Sequence, residues 1–434
     1  MSTWQPILHG EEAEKALHLI VTISQEIVYP WDSPWRWGSE LREPDSLAFG
    51  NAGVALFFSY AAKVLQDRNC VHTAELFIRD AIQATLQDRM QPGFEVGAAG
   101  IYWALEHIRN AVGLGAQVQN SAAEWDQRLA QFCRTPGVPG AFADGLAGLV
   151  VYAAERMPDP SAEFLLRAAL DQLEGISVRT DDGIAWHVCG CSEAALREFF
   201  PGLSFAQRRY SASLGYGIAG IVGALISAYE SGIREPQVKR MIEGAVSWLL
   251  GRKRGPDYYQ LFPLIVGIEM PAVSNGWYLG DPGIVIAILN AAKVLDREDW
   301  QAAIIGAACK MAKSASKFNG HNLLYGSIGR AHICNRLFQM TGNEQFVDAA
   351  REWYSLALGF QKPKEEKGGI LEDGRYFQGL FWGTAGLGLG LLAAISSVEP
   401  SWDRAFLASF RSVSQPSTTL SSSSFVDVCS VATP

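Results

Sequence analysis

The chain has no excess of basic residues: 36 Lys and Arg stand against 45 Asp and Glu, a formal net charge of −9 over 434 residues. A nucleic-acid binder draws its affinity from a positive field. No basic stripe runs along the sequence, so no nucleic-acid partner is expected, whereas an acidic surface suits a soluble enzyme or a basic peptide partner. The opening residues, MSTWQPILHGEEAEKAL, lack a basic stretch leading into an apolar one, and no secretory signal is expected. The seven Cys are odd in number and irregularly spaced, which argues against a disulfide framework and for a reducing, cytoplasmic setting. Long apolar runs are scarce too. Leu380–Val398 is uncharged and about the length of a membrane span, but its Gly and Ala content reads as a buried helix, so no transmembrane segment is expected. Strand-like alternation is also sparse. At 48% apolar and 19% charged residues the chain can still build a large core.

What is present is a repeat. Gly-x-x-Gly followed by an apolar run occurs at Gly50–Gly53, Gly97–Gly100, Gly145–Gly148, Gly217–Gly220, Gly280–Gly283, Gly326–Gly329 and Gly383–Gly386. Neighbouring copies lie roughly 46 to 72 residues apart, room for two helices and their loops. Each run is apolar nearly all round, which marks a buried helix. Between copies lie one-sided segments such as 73–87, where Phe77, Ile78, Ala81, Ile82 and Leu86 sit beside Glu75, Arg79 and Asp80, the pattern of an outer helix. The spacing predicts an all-α fold, an α/α toroid or double barrel, over 1–408. An open helical solenoid is the competing architecture. Residues 409–434 are rich in Ser and Thr and are expected to form a disordered tail. If the inner helices run parallel, seven N-termini meet around one cavity, and their free N–H groups and dipoles favour a thiolate, carboxylate or enolate there.

Seven Gly-x-x-Gly helix starts in this order resemble the LanC-like (lanthionine synthetase C) family over about residues 45–400. The resemblance implies a toroid of seven inner and seven outer helices. It also implies an enzyme that joins a Cys thiol of a dehydrated precursor peptide to dehydroalanine or dehydrobutyrine. The zinc members carry Trp-Cys-Tyr-Gly, Cys-His-Gly and, earlier, Ala-His-Gly. Here the fifth repeat reads Gly276-Trp277-Tyr278-Leu279-Gly280-Asp281-Pro282-Gly283, with Tyr278 in place of the first zinc Cys. The sixth reads Leu323-Leu324-Tyr325-Gly326, with Leu324 and Tyr325 in place of Cys-His. Tyr216 replaces the earlier His, and Asp144 precedes Gly145, with Ala141 where a further acid is expected. All three zinc ligands are absent from their motif positions, so no metal and no cofactor are expected. The pattern resembles the zinc-free cyclases of class III and class V lanthipeptide pathways. The first repeat starts as early as Gly50, which leaves no room for class III lyase and kinase domains and makes a stand-alone class V cyclase the nearer resemblance. Separate kinase and lyase proteins are the partners this implies.

Thiol addition to a dehydro amino acid needs a thiolate, enolate stabilisation and a proton for the α-carbon. Tyr216, Tyr278 and Tyr325 occupy positions where the family places its chemistry, and a phenol can serve an enolate as hydrogen-bond donor or acid. Space-filling in place of lost zinc is their competing role. His321, just before Tyr325, is the candidate base, and His332 within the helix is expected to pack. Trp277, Asp144 and Asp281 are candidate substrate contacts, although Asp281 at a helix start also suits capping. The His187-Val188-Cys189-Gly190-Cys191 cluster has no second half to complete a tetrahedral metal set. The family places a substrate-facing segment there, so His187, Cys189 and Cys191 are candidate peptide contacts, with a structural role as the alternative. The loop 361–376 is either a solvated connector or a docking rim. The 414–434 tail holds Cys429 among Ser and Thr, a composition like that of a lanthipeptide core. The sequence leaves two rivals to a zinc-independent cyclase. One is an inert scaffold for the precursor or its kinase and lyase; the other is a carboxylate glycosidase using Asp144 and Asp281.

Overall fold

Every one of the seven glycine pairs starts a helix in the computed structural model, which describes residues 4–27, 29, 36–37, 40–41, 44–86, 90–116, 118, 121–188, 209–268, 276–313, 320–359 and 378–411. Fourteen α-helices lie among the described residues. The outer ones are α1 (Gly10–Glu26), α3 (Arg68–Ala84), α5 (Ala122–Cys133), α7 (Pro160–Gly175), α9 (Pro236–Leu250), α11 (Glu298–Lys313) and α13 (Glu344–Leu358). The inner ones are α2 (Asn51–Leu65), α4 (Ala98–His107), α6 (Leu146–Arg156), α8 (Ile218–Glu230), α10 (Asp281–Val294), α12 (Ser327–Thr341) and α14 (Thr384–Ile395). Three short antiparallel ribbons, 36–37 with 40–41, 178–180 with 183–185 and 187–188 with 209–210, decorate the helices.

The two helix classes begin differently because they are built differently. Three outer helices have side-chain caps: Asp67 accepts from Asn69 N–H, Asp159 from Ser161 N–H and Asn343 from Gln345 N–H; α1, α5 and α9 have none. Their buried faces are one-sided, as in α3, which buries Phe77, Ile78, Ala81 and Ile82; Leu86 falls past its end and is exposed. Inner helices are buried nearly all round and begin at Gly with no side-chain cap. Backbone does the capping instead. In five repeats the first helical N–H (Asn51, Ala98, Leu146, Ile218, Ser327) donates to the carbonyl seven residues back, at 2.8–3.3 Å. The expectation of free N–H groups around the mouth is therefore corrected in part: in these five repeats the preceding loop takes the first of them, and the dipole field remains for an anion.

The ring closes. Each inner helix packs on the next, and α14 packs on α2, which excludes the open solenoid. The seventh outer helix is the first in the chain: α1 packs against α14 and α13. Inside the ring, reaching the underside of the glycine end, a 3-10 helix, Ser401–Phe406, forms a plug. Phe406 meets Trp277 and Phe381, each at 5.0 Å between ring centres, and Leu407 covers Gly223. Two buried polar networks hold the plug. His332 and Arg336 both bond Asp403, and Tyr60–His107–Glu155 connects to Arg404.

Candidate active site

The loop before each inner helix has one register, best counted back from its first glycine. Three residues back stand Leu47, Phe94, Phe142, Leu214, Trp277, Leu323 and Leu380, all buried. The carbonyl of this residue lies against the second glycine of its own pair. A Cβ on Gly100 would sit 1.8 Å from the Phe94 oxygen, and the same clash recurs in every repeat. The pair is thus a requirement for close backbone approach.

Two residues back stand Ala48, Glu95, Ala143, Gly215, Tyr278, Leu324 and Phe381. Their backbones form a chain of hydrogen bonds around the ring axis: Ala48 to Glu95, Glu95 to Ala143, Ala143 to Gly215, Gly215 to Tyr278, Tyr278 to Leu324, and Phe381 to Ala48. All these helix starts therefore share one end, as the parallel arrangement requires. Small residues on one arc of this floor leave space that large residues opposite fill. The Tyr278 ring lies over Gly215, where a Cβ would be 2.1 Å from its carbons, and its hydroxyl donates to the Glu95 carboxylate across the axis. Tyr278 is 1% exposed and Glu95 8%.

One residue back stand Phe49, Val96, Asp144, Tyr216, Leu279, Tyr325 and Trp382, and all but Leu279 are half-buried. They form the wall above the floor. Tyr216 meets Tyr278 edge-on at 5.6 Å between ring centres, and Tyr325 meets Trp382 at 5.3 Å. Burial first, then the negative charge of Glu95, raises Tyr216 and Tyr278 well above the usual phenol value; Asp144 adds to the effect on Tyr216. Tyr325 is raised by the same two causes. All three are therefore neutral O–H donors at physiological pH.

The structure thus brings Tyr216, Tyr278, Tyr325 and Asp144 to one place, and adds Glu95, which the sequence reading missed. Glu95 occupies the same register position as Tyr278, where it is the one charged residue among seven; aligning the repeats would have exposed it. The other described candidates have different surroundings. Trp277 lies beneath the floor, stacked on His332 at 5.7 Å and 1% exposed, so it is a core residue and not a substrate contact. Asp281 is buried and accepts from the backbone N–H groups of Leu261 (2.9 Å) and Phe262 (3.0 Å), so it pins that loop and is no partner for Asp144. His321 bonds the Ser327 hydroxyl at 2.9 Å, and burial lowers its basicity. His187 stacks on Tyr210, which lies edge-on to Trp248 of outer helix α9. His332 packs, as expected. Cys189, Cys191, the 361–376 loop and the 414–434 tail lie outside the described residues.

A closed toroid of seven inner and seven outer helices, with a floor and wall built from one loop register, defines a class of α/α-barrel proteins. The family model described as "Lanthionine synthetase C-like protein" matches residues 42–407, and the chain belongs to that family. Among solved structures, nisin cyclase is similar with a TM-score of 0.67 at 15% identity, covering 91% of this chain and 97% of that one. At this identity the likeness shows the fold. Cellobiose 2-epimerase from Bacillus thermoamylovorans B4167 (TM-score 0.44, 11% identity, 88% and 98% covered) and a sugar epimerase from a ruminal bacterium (0.46, 14%, 88% and 97%) are more distant. No curated protein sequence matches the chain.

The zinc of the family's metalloenzymes does not fit the residues present. The three motif positions offer two phenols and a leucine, and Tyr278 is already bonded to Glu95. Zinc takes thiolate, imidazole or carboxylate ligands in tetrahedral sets. Among the described residues no three His, Cys, Asp or Glu side chains gather to form one. Nor is any helix among them long and apolar enough to cross a membrane.

Proposed function

We propose that the protein is a lanthipeptide cyclase that works without zinc. It would promote addition of a Cys thiol to dehydroalanine or dehydrobutyrine within a dehydrated precursor peptide, beside separate kinase and lyase proteins. The observation that carries this reading is the convergence of Tyr216, Tyr278 and Tyr325 on one mouth; Tyr278 and Tyr325 match positions of the family's zinc ligands, and Tyr216 matches its earlier His.

In the addition the sulfur lone pair attacks Cβ, and the π pair of the double bond moves onto the carbonyl oxygen. The thiol proton ends on Cα. Tyr216 and Tyr325, on the wall, are placed to donate to the enolate oxygen. Removing one such donor in a water-poor site costs about a hundredfold in rate. The inner-helix dipoles favour the approaching thiolate, and the aromatic wall excludes water.

The test incubates purified protein with a dehydrated, Cys-containing precursor and follows thiol alkylation by mass spectrometry. Ring closure leaves the mass unchanged and removes the alkylatable thiol. Thiol loss faster than in a protein-free control, and slowed about a hundredfold by Tyr216→Phe or Tyr325→Phe, supports the cyclase. A rate equal to the control with partners and leader present assigns the toroid to peptide holding. Stoichiometric zinc in the purified protein would overturn the metal-free reading.

A further inference from the structure

The net charge of −9 is not spread evenly over the molecule. The last turns of outer helices α1, α3, α5, α7, α9 and α13 hold no basic residue, whereas that of α11 holds Lys310 and Lys313. Beside it, just past the end of α9, runs Arg252-Lys253-Arg254. Lys253 Nζ donates to the Ala303 carbonyl of α11 at 2.6 Å, and Lys310 Nζ donates to the carbonyls of Pro256 and, at 2.6 Å, Tyr258. Neither lysine is matched by a carboxylate among the described residues. The loop they hold is closed by Arg254 N–H donating to the Leu261 carbonyl at 2.7 Å. Within it Tyr258 and Tyr259 are 48% and 38% exposed, and the Arg254 guanidinium lies 5.1 Å from the Tyr258 ring centre. This loop and the last turn of α11 carry five cations against Asp257 and the Asp182 that pairs with Arg252.

The patch stands at the level of the mouth. Inner helix α10 starts there and turns back into α11 through 295–297, so α11 ends at that level, as α9 does after α8. The loop then continues into the site. Its Leu261 and Phe262 N–H groups donate to Asp281, the first residue of α10, and Val266 N–H donates to the Tyr210 carbonyl at 2.9 Å, ahead of Tyr216. Helix dipoles do not account for the cluster: a cation would serve the C-terminal end of every outer helix, and six of them lack one in the last turn.

We propose that this rim is a docking surface for an acidic segment of the precursor peptide, held outside the mouth while the reacting residues enter it. The proposal rests on the cyclase reading, which requires a peptide to be held at this end. Clustered cations on an otherwise acidic molecule steer a negatively charged partner to one place. Tyr258 and Tyr259 supply apolar contact, and tyrosine beside arginine is the pairing that anchors many interfaces. A nucleic acid would meet the same cations, but also the repulsion of the whole chain.

The test uses the full chain and a fluorescein-labelled peptide of repeating Glu-Glu-Leu-Phe, with a Lys-for-Glu counterpart, followed by fluorescence anisotropy. The acidic peptide should bind, and its basic counterpart about tenfold more weakly or worse. Replacing Tyr258 and Tyr259 together by Ala should weaken binding about tenfold. Lys313→Glu, at an exposed side chain with no hydrogen bond to lose, should weaken it about fivefold. Both variants should melt close to the parent. In the thiol-loss assay the double Tyr variant should raise KM about tenfold and leave kcat unchanged, the signature of lost docking without lost chemistry. Equal binding of the two peptides, or variants that bind like the parent, overturns the docking surface. A DNA oligonucleotide bound as tightly as the acidic peptide overturns it in favour of a general polyanion site. Parent thiol loss at the control level, with the acidic peptide still bound and released by the variants, sinks the cyclase reading and leaves the surface standing.

Discussion

At the scale of single residues, the second glycine of each pair fixes how closely the inner helices can seat. Gly220 is representative. A Cβ there would lie 2.0 Å from the Leu214 carbonyl and 2.9 Å from the Phe142 Cβ of the preceding repeat. Backbone cannot give way as a flexible side chain can, so Gly220→Ala must displace α8 or its loop. The expected cost is about 3 kcal/mol, read from denaturant midpoints. Gly255→Ala is the control, because its added Cβ meets nothing within 4 Å. Equal midpoints for the two variants would show that the loops tolerate the shift and that the glycines are kept for another reason. The same position explains why Tyr278 lies flat across the floor, since at its neighbour Gly215 the absence of a side chain opens the space the ring takes.

At the scale of elements, the plug Ser401–Phe406 bears on the site without touching a substrate. Phe406 supports Phe381 of the floor, and Trp402 packs on His332, which stacks on Trp277 under Tyr278. Trp402 is fully buried. Trp402→Ala should cost about 3–5 kcal/mol in denaturant unfolding and slow thiol loss as the floor loosens. A stable variant with parent-like rates would show that the plug merely fills space. None of this plug was legible in the sequence, because a six-residue 3-10 turn has too few residues to show a period. The inner helices were legible because a glycine pair and an apolar run recur seven times. The outer ring was legible in kind but not in order, since nothing in the pattern of α1 says that it closes the last inner helix. Tyr216, Tyr278 and Tyr325 were legible through the register they share with the family's motifs. Glu95 was not, because its partner lies 183 residues away and a pair across a ring leaves no local pattern. Trp277 and Asp281 were misplaced for a related reason: neighbours in sequence at a helix start point alternately to core, axis and loop.

At the scale of the whole molecule, acid should weaken the closed end in two stages. The net charge of −9 would by itself predict the opposite, since lowering the pH from neutrality relieves self-repulsion. Local terms outweigh it. His107, His321 and His332 are all held below the ordinary imidazole value, by burial before any other cause. The unfolded chain protonates them near ~6.5 while the folded chain refuses, so stability falls as the pH drops below that value. Asp403 and Glu155 act lower. Burial works to raise both, but the charge of Arg336 with the His332 bond holds Asp403 at about 2, and the His107 bond and Arg404 hold Glu155 below its usual value. Their contribution is complete above roughly pH 4 and drains as the pH falls towards 2. Melting temperature should therefore be level above pH 7, decline from about pH 6.5 and fall more steeply below about pH 4. Four of these five groups anchor the plug, directly or through Arg404. Hydrogen exchange at pH 5 should accordingly quicken first in 401–411, while the mouth loops with their backbone hydrogen-bond chain stay protected. Uniform loss of protection, or a melting temperature that does not change between pH 7 and 5, would mean that these histidines are already charged in the folded protein and join Arg336 and Arg404 in ion pairs with Asp403 and Glu155.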